Sequence, residues 1–301
     1  MNKVFITGAS GFVGQKLLSA IDDKKNTLRV LSRRNLPGFD TIVCDLNSGV
    51  IPQDALKGID TVFHLAGIAH DSHKQDEQYI SVNVKATEKL AKLAVISGVQ
   101  RFFYLSSVKA GGSVLHGSSI TESDQDEPEG IYGKTKREAE LKLLRIGKQS
   151  GMHVSIIRSS LVYGPLMKGN LGLMFLGIKR GWFPSLPKVN NRRSMVHVDD
   201  LVNAILFVAE DSKTNGEVFI VTDGVPHSSR EIYEIMCVIL GRAIPKWYVP
   251  KIVFNFLAFF SLGLRHKVNK LFEDDYHSSD KIQSIGFKPQ RSLKDMNETY
   301  F

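Results

Sequence analysis

The stretch of sequence that decides the fold lies at the start of the chain and reads Val4-Phe5-Ile6-Thr7-Gly8-Ala9-Ser10-Gly11-Phe12-Val13-Gly14. Its first four residues are β-branched or aromatic and predict a strand, whereas the apolar spacing that begins at Val13 predicts a helix. Glycines between the two let the backbone approach a pyrophosphate, and the start of the helix supplies free N–H groups. We therefore expect a dinucleotide-binding loop. The spacing is GxxGxxG rather than the commoner GxGxxG, and a tight turn without ligand is the alternative.

More strand-like runs follow, separated by segments of helical period. The runs are Leu28–Ser32, Thr41–Cys44, Thr61–Leu65, Phe102–Ser106 and Val154–Arg158. Such alternation is typical of a parallel sheet covered by helices on both faces. Beyond residue 165 the alternation of strands and helices becomes irregular, although the sequence still predicts a strand at Val218–Thr222. We predict an α/β fold with a doubly wound parallel sheet in residues 1–165. Residues 166–301 form a smaller lobe, from which some strands and helices return to the sheet.

The composition, with 43% hydrophobic and 23% charged residues in a chain of 301, is that of an ordinary globular protein. It excludes a disordered chain, a collagen-like fibre and a disulfide scaffold. Two cysteines, Cys44 and Cys237, fit a reducing compartment. The net charge of +8 favours anionic partners. Charge alone does not choose among nucleic acid, a membrane surface and a phosphorylated small molecule.

We expect a cytoplasmic protein. The apolar run at the N-terminus is too short for a signal peptide, and no stretch reaches the roughly 18–20 apolar residues that span a membrane. The nearest stretch, Ile252 to Leu264, is interrupted by Asn255 and Ser261 and is followed by basic residues. We expect it to pack in the second lobe or at a dimer interface. Peripheral contact with a membrane surface is the alternative.

The residues after the second and third strands bear on the choice of dinucleotide. An NAD site usually places an acidic residue about 20 positions past the glycine loop, on the ribose hydroxyls. Here the second strand ends in Arg33 and Arg34 instead. Paired arginines suit a 2′-phosphate and favour NADP over NAD, unless both side chains merely lie on the surface. Asp45, after the third strand, is a candidate acceptor for the adenine amino group.

A second group of residues carries acid–base chemistry. Tyr132 and Lys136 are four positions apart at the start of a predicted helix, so both project from one face. An ammonium group beside a phenol lowers the pKa of the phenol and prepares it for proton transfer. Ser107 ends the fifth strand, where a parallel sheet presents residues to a ligand. It can hydrogen-bond the substrate oxygen that Tyr132 protonates.

Together these features resemble the extended short-chain dehydrogenase/reductases, a family that includes nucleotide-sugar epimerases, dehydratases and reductases. The resemblance covers nearly the whole chain and implies a Rossmann fold in which Ser107, Tyr132 and Lys136 carry catalysis. It also implies that Ala66 and Gly67 line the cofactor cleft and that Asn83 supports the site. Together with the residues argued above, the predicted cofactor site consists of Gly8, Ser10, Gly11, Phe12, Val13, Gly14, Arg33, Asp45, Leu46, Leu65, Ala66, Gly67, Asn83, Tyr132 and Lys136.

The second half resembles members of the family that bind UDP-sugars. The resemblance places Asn170 near the nucleotide and Arg193 on the diphosphate, and a guanidinium suits two phosphate oxygens. Ser107 and Lys109 complete the predicted substrate site. The alternatives are a turn residue at Asn170 and a solvated charge at Arg193. Leu161 stands where well-known galactose epimerases carry an asparagine, which weakens a plain UDP-glucose/UDP-galactose assignment.

Three stretches most resemble one subgroup of the family, namely Ser106–Lys109, Lys168–Asn170 and Asn191–Ser194. This subgroup contains bacterial UDP-N-acetylquinovosamine-type 4-reductases and UDP-hexose 4-epimerase-like proteins. We expect hydride transfer at C4 of a UDP-linked hexose. The favoured reaction is reduction of a UDP-4-keto-6-deoxy-N-acetylhexosamine for surface polysaccharide, because the arginines at positions 33 and 34 suit an NADP(H) consumer. The alternative is a UDP-glucose or UDP-N-acetylglucosamine 4-epimerase with tightly bound NAD. A non-catalytic, dinucleotide-sensing regulator ranks lower, since Tyr132 and Lys136 are both present.

Other partners are not indicated by the sequence. The basic residues are scattered without a nucleic-acid-binding motif, so we expect no nucleic acid. His64, His70 and His73 cluster in sequence but are expected in a strand and loop near the cofactor, and we expect no metal. The resemblance implies a homodimer, built on the helices that carry Asn83 and Tyr132.

Overall fold

The computed structural model describes residues 3–21, 26–47, 50–69, 75–112, 119–128, 130–260 and 262–296. The strands are β1 Lys3–Thr7, β2 Thr27–Ser32, β3 Asp40–Val43, β4 Thr61–His64, β5 Arg101–Ser107, β6 His153–Ser159, β7 Leu161–Tyr163, β8 Met195–His197 and β9 Glu217–Val221. The helices are α1 Phe12–Ala20, α2 Asp76–Tyr79, α3 Thr87–Ile96, α4 Gly130–Ser150, α5 Gly169–Arg180, α6 Val198–Glu210, α7 Ser229–Ile239, α8 Lys251–Phe259, α9 Leu262–Phe272 and α10 Asp280–Ser284. A π-helical segment, Ile80–Ala86, joins α2 to α3.

Seven strands form one sheet in the order β3-β2-β1-β4-β5-β6-β9, and every pairing is parallel. The chain moves outward from β1 to β3 and then crosses back to β4, so the direction of winding reverses between β1 and β4. The carboxyl ends of these two strands border the crevice where open parallel sheets bind ligands. The predicted doubly wound α/β fold is confirmed.

Alternating side chains on the strands build a core on each face of the sheet. Val4 and Ile6 belong to one cluster, with Leu17 of α1 and Ile205 of α6, whereas Phe5 belongs to the cluster on the opposite face. Strands buried on both faces are expected to read as continuous apolar runs, which is why the first strand was recognisable.

The second part of the chain contributes to both the sheet and a separate core. Strand β9 pairs with the edge of β6, and α6 packs on the same face as α1. A third apolar cluster joins α5, α7, α8 and α9. Helix α7 begins with a capping box between Ser228 and Glu231.

The apolar stretch Ile252 to Leu264 packs only in part within the second lobe. It forms α8 and the start of α9, and of α8 only Phe254 and Ala258 are buried. Among the described residues, no helix combines the length and apolar character that crossing a bilayer requires.

A buried ion pair fixes α4 against the sheet. The Arg158 guanidinium on β6 donates to both carboxylate oxygens of Glu140, at 3.1 Å from Nε to Oε1 and 2.7 Å from Nη2 to Oε2. The hydroxyl of Ser106, on β5, donates to the same carboxylate. Both charged side chains are only 2% exposed. Because an unpaired buried charge is costly, the two ions hold the helix and two strands together.

Removing the carboxylate charge tests this anchor. Glu140→Gln leaves the Arg158 charge buried without a counter-ion, so we expect a loss of about 3–5 kcal/mol in the free energy of unfolding. The matched control is Glu88→Gln, which breaks a more exposed bridge to Lys92 and Lys142 and costs less than about 1 kcal/mol. Urea denaturation measures both; equal losses in the two variants would contradict the anchoring role.

Candidate active site

The glycine loop packs directly on the end of the neighbouring strand. Gly8 has φ +75°, and a Cβ on it would lie 2.7 Å from the backbone nitrogen of Ala66. A Cβ on Gly14 would overlap the carbonyl oxygen of Gly8. Both positions therefore require glycine, one for its conformation and the close strand contact, the other for the close approach of α1 to the loop.

The loop also has the character of an anion site. Gly11 is the N-cap residue of α1, and within this described stretch no side chain caps the helix and its first turn carries no acidic residue. The N–H groups at this helix start therefore favour a negatively charged ligand. Ser10 is exposed, and Phe12 and Val13 are half-buried in the first turn. These residues fit the phosphates of a dinucleotide.

The residues predicted to bind the adenosine lie at the carboxyl ends of the strands, the same edge of the sheet as the glycine loop. Arg33 and Arg34 follow β2, and Asp45 follows β3; all three side chains are exposed. The Asp45 carboxylate accepts a hydrogen bond from the backbone of Asn47 at 3.0 Å. Leu46, in contrast, is buried in the core cluster on one face of the sheet.

Asn83 connects the loop after β4 to the rest of the site. Its Oδ1 accepts from the Ile68 N–H at 2.8 Å, and its Nδ2 donates to the Ile68 carbonyl at 3.0 Å and to the Thr135 hydroxyl of α4 at 3.2 Å. A Cβ on Gly67 would lie 3.1 Å from Asn83 Oδ1 and 3.3 Å from Lys136 Nζ. Asn83 itself lies in the π-helical segment, a type of distortion that is frequent at functional sites.

The three predicted catalytic residues meet at the end of β5. The Tyr132 hydroxyl is hydrogen-bonded to the Ser107 side chain. Nζ of Lys136, one turn along α4, donates to the Leu105 carbonyl at 2.8 Å. Lys136 is buried, Ser107 is 9% exposed and Tyr132 is half-buried. The end of β5 thus carries a pair of hydrogen-bonded hydroxyls, and the Lys136 ammonium group lies beside the loop that carries Gly67.

The pKa of Tyr132 differs from the sequence-based expectation. Burial raises it to about 12, and the hydrogen bond with Ser107 only partly opposes that rise. Burial lowers the pKa of Lys136 to about 8, an effect opposed by the Glu140 carboxylate. The groups that set the pKa of Tyr132 are therefore burial and Ser107 rather than Lys136, whose ammonium group donates to the Leu105 carbonyl.

The predicted substrate residues Lys109 and Arg193 both lie near Asp275. Lys109 Nζ lies 3.1 Å from Asp275 Oδ1. Arg193 pairs through its backbone with Asp275, and its Nη1 donates to the Lys270 carbonyl at 2.8 Å. Burial raises the pKa of Asp275, but Lys109, His277 and Arg193 outweigh that effect and hold it well below its usual range. The Arg193 Nε is buried and has no hydrogen-bond partner among the described residues.

Sequence reasoning missed Asp275, and no local pattern could have found it. It lies 166 residues from Lys109 along the chain, and the order of elements alone does not bring the two together. Asn170, in contrast, is exposed in the first turn of α5. The structure shows no contact that joins Asn170 to this charged group.

A cavity of about 500 Å³ lies in the second lobe and includes none of the three candidate catalytic residues. Its lining includes Asn191, Lys251, Asn255, Asn269 and Glu273. The cavity adjoins the segment that carries Arg193, because Asn191 lies two residues before it and lines the cavity. The Asn191 side chain donates to the carbonyls of Leu271 and Glu273. The sequence did not indicate this cavity.

His64 is a structural residue at the centre of the site. Its Nδ1 lies 2.6 Å from the Thr7 hydroxyl, and its Nε2 lies 2.8 Å from the Thr87 hydroxyl. It therefore links the ends of β1 and β4 to α3. Within the described ranges no group of three or more His, Cys, Asp or Glu side chains is placed to hold a metal ion. His70 and His73 lie outside those ranges.

The protonation of His64 provides a test. Burial, reinforced by the nearby Lys136 ammonium, lowers its pKa from 6.5 to about 3. A lowered folded-state pKa means that the free energy of unfolding decreases as the pH falls from about 6.5 towards 3. We expect the imidazole NMR signal, assigned with His64→Gln, to stay in the neutral form between about pH 5 and 8. A midpoint near 6.5 would contradict this placement.

Comparisons with known proteins identify the family. Residues 4–222 match the NAD dependent epimerase/dehydratase family. A UDP-glucose 4-epimerase of Vibrio cholerae is 31% identical over 304 residues, covering 97% of this chain and 92% of that protein. A 3-beta-hydroxysteroid dehydrogenase of Mycolicibacterium neoaurum is 26% identical, covering 96% and 87%.

Two further proteins are similar. The N-acetyl-alpha-D-glucosaminyl-diphospho-ditrans,octacis-undecaprenol 4-epimerase of Escherichia coli O157:H7 is 27% identical, covering 83% of this chain and 76% of that protein. The solved structure of MoeE5 in complex with UDP-glucose and NAD has a TM-score of 0.79 and 26% identity, covering 98% and 95% of the two chains. The family match spans most of the chain, and the Vibrio relative covers nearly all of it. The resemblance seen in the sequence is confirmed: the chain belongs to the NAD-dependent epimerase/dehydratase family of extended short-chain dehydrogenase/reductases.

Proposed function

We propose that this protein is an NAD-dependent enzyme that transfers a hydride at C4 of a UDP-linked hexose, with 4-epimerisation as the leading reaction. The observation that carries the proposal is the hydrogen-bonded Ser107–Tyr132 pair beside Lys136, at the edge of the sheet next to the glycine loop. A UDP-glucose 4-epimerase as a relative over nearly the full length, and a neighbour solved with UDP-glucose and NAD, support this choice of substrate and cofactor.

In this proposal residues 1–165 bind the dinucleotide, with its phosphates at the Gly8–Gly14 loop and its adenosine near Asp45. Gly67 and Asn83 line the path toward the catalytic residues. NAD, when bound, would accept a hydride from C4 of the sugar and return it to the opposite face of the keto sugar.

The chain's own residues handle the proton. Tyr132 takes the proton from the C4 hydroxyl as the carbonyl forms, and gives it back when the hydroxyl is restored. Ser107 orients the sugar oxygen by hydrogen bonding. Because burial raises the pKa of Tyr132 to about 12, the phenol needs a positive charge nearby to lose its proton near neutrality. In this proposal Lys136, whose ammonium group lies next to Gly67 and donates to the Leu105 carbonyl in the ligand-free chain, supplies that charge once cofactor and substrate are bound.

Residues 166–301 form the substrate lobe in this proposal. Arg193 binds the diphosphate, and its unpartnered Nε is a donor suited to a phosphate oxygen. Lys109, which forms an ion pair with Asp275, contacts the sugar. Asn170, exposed at the start of α5, reaches the nucleotide from the outside.

One observation favours a second candidate, the 4-keto reductase. Arg33 and Arg34 are exposed at the end of β2, where an acidic residue would bind the ribose of NAD. An NADP(H) consumer uses such arginines to bind a 2′-phosphate. The same catalytic residues would then reduce a 4-keto sugar in one direction.

The proposal predicts turnover without added reductant. Purified protein with NAD should convert UDP-glucose or UDP-N-acetylglucosamine to its 4-epimer, measured by chromatography of the sugar nucleotides. Tyr132→Phe should lower turnover at least about 10²-fold, because it removes the proton-transfer group. The matched control is Tyr79→Phe, a neighbouring phenol whose hydroxyl donates to the Ala69 carbonyl, and it should keep most of the activity.

The outcomes separate the alternatives. Turnover only of UDP-4-keto-6-deoxy-N-acetylglucosamine with NADPH would replace the epimerase with the reductase. Oxidation of a 3β-hydroxysteroid, without any reaction of UDP-sugars, would overturn the choice of substrate. Unchanged turnover in Tyr132→Phe would remove the proposed mechanism and revive a regulator that has lost catalysis.

A further inference from the structure

One helix of the second lobe presents large apolar side chains to the outside. In α8, Phe254 and Ala258 enter the third apolar cluster, one turn apart on the same face. The opposite face carries Ile252, Phe256 and Phe259, with Phe260 directly after the helix; we call these four the phenylalanine face. Their exposed fractions are 75%, 63%, 85% and 70%. Single exposed apolar residues are ordinary, whereas a contiguous group marks an interaction site.

The aromatic rings of this face pack on one another rather than on the core. Phe260 meets Phe256 edge to face at a centroid distance of 5.1 Å and meets Phe259 at 5.7 Å. Trp247 and Tyr248, a few residues before the helix, are also exposed. Tryptophan and tyrosine are the residues that accumulate at the boundary between lipid and water.

The chain around this helix is rich in positive charge. Residues 244–272 contain five lysines and arginines and no aspartate or glutamate. Lys246, Lys251, Arg265 and Lys267 are exposed. Glu273 and Asp274, which line a cavity with Lys251 and Asn255, are the acidic residues near the base of the helix. An apolar helix face bordered mainly by cations is the pattern of a helix that lies in the plane of an anionic membrane.

We propose that the phenylalanine face docks this protein on the surface of an anionic lipid bilayer. A helix of nine residues is too short to cross a bilayer, so the contact is peripheral, with the rings among the acyl chains and the cations at the headgroups. A second copy of the chain fits less well, because a two-fold interface sets a patch against its own image and would bring the like charges together. None of the four residues belongs to the proposed active site, so docking is separable from catalysis.

Vesicle flotation tests the proposal. The full chain is mixed with vesicles of phosphatidylcholine alone or with added phosphatidylglycerol, at low and high salt. We expect flotation with the anionic vesicles and weaker flotation at high salt. The double variant Phe259→Ser/Phe260→Ser should reduce the bound fraction at least about tenfold, since burial of one phenylalanine is worth more than a tenfold change in affinity. The matched control Ile96→Ser replaces an equally exposed apolar residue, 82% exposed at the end of α3, and should float like the wild type.

Three results would overturn the proposal. The wild type could stay below the anionic vesicles, it could bind neutral and anionic vesicles equally, or the double variant could float as well as the wild type. Light scattering without lipid adds a fourth: a lower mass for the double variant would identify the face as an interface between copies. Equal thermal unfolding midpoints of both variants and the wild type show that any loss of flotation comes from the surface and not from the fold.

Discussion

The contact between Gly8 and the backbone of Ala66 is the constraint on which the rest of the structure depends. It joins the ends of β1 and β4, the two strands between which the direction of winding reverses, and it leaves no space for a side chain. From there the loop after β4 continues to Gly67, which lies against Asn83 and Lys136. A phosphate-binding loop and a proton-transfer site are thereby placed at neighbouring positions on one sheet edge.

One face of helix α4 carries both the residue that anchors the helix to the sheet and two of the candidate catalytic residues. Tyr132, Lys136 and Glu140 are spaced by four residues and so share a face. Glu140 binds Arg158 and Ser106 inside the sheet, and its charge also supports the ammonium form of Lys136. The Glu140–Arg158 pair therefore does more than stabilise the fold, because the Glu140 carboxylate also helps to keep Lys136 protonated, and Tyr132 requires that positive charge in the proposed reaction.

The features that depend on local periodicity were predictable from the sequence. The strand before Gly8, the helix after it and the four-residue spacing of Tyr132 and Lys136 follow from patterns within one element. Features that depend on tertiary burial were not. The contact of Lys109 with Asp275, the raised pKa of Tyr132 and the exposure of α8 each require knowledge of which elements meet and how much water they exclude. An apolar run in particular does not reveal whether it faces a core or the outside.

The central claim is that the Gly8–Gly14 loop holds a dinucleotide by its phosphates, and calorimetric titration with NAD tests it most directly. Gly11→Ala is the suitable variant, because Gly11 has an ordinary φ of −78° and its added Cβ would lie 3.0 Å from the Gly8 carbonyl oxygen, a tight contact that a small shift of the loop relieves. The fold should therefore persist, as judged by circular dichroism, while the methyl group crowds the phosphate position. We expect the wild type to bind NAD and this variant to bind at least about tenfold more weakly, a difference of about 1.4 kcal/mol. Equal affinity in the two proteins would contradict the account.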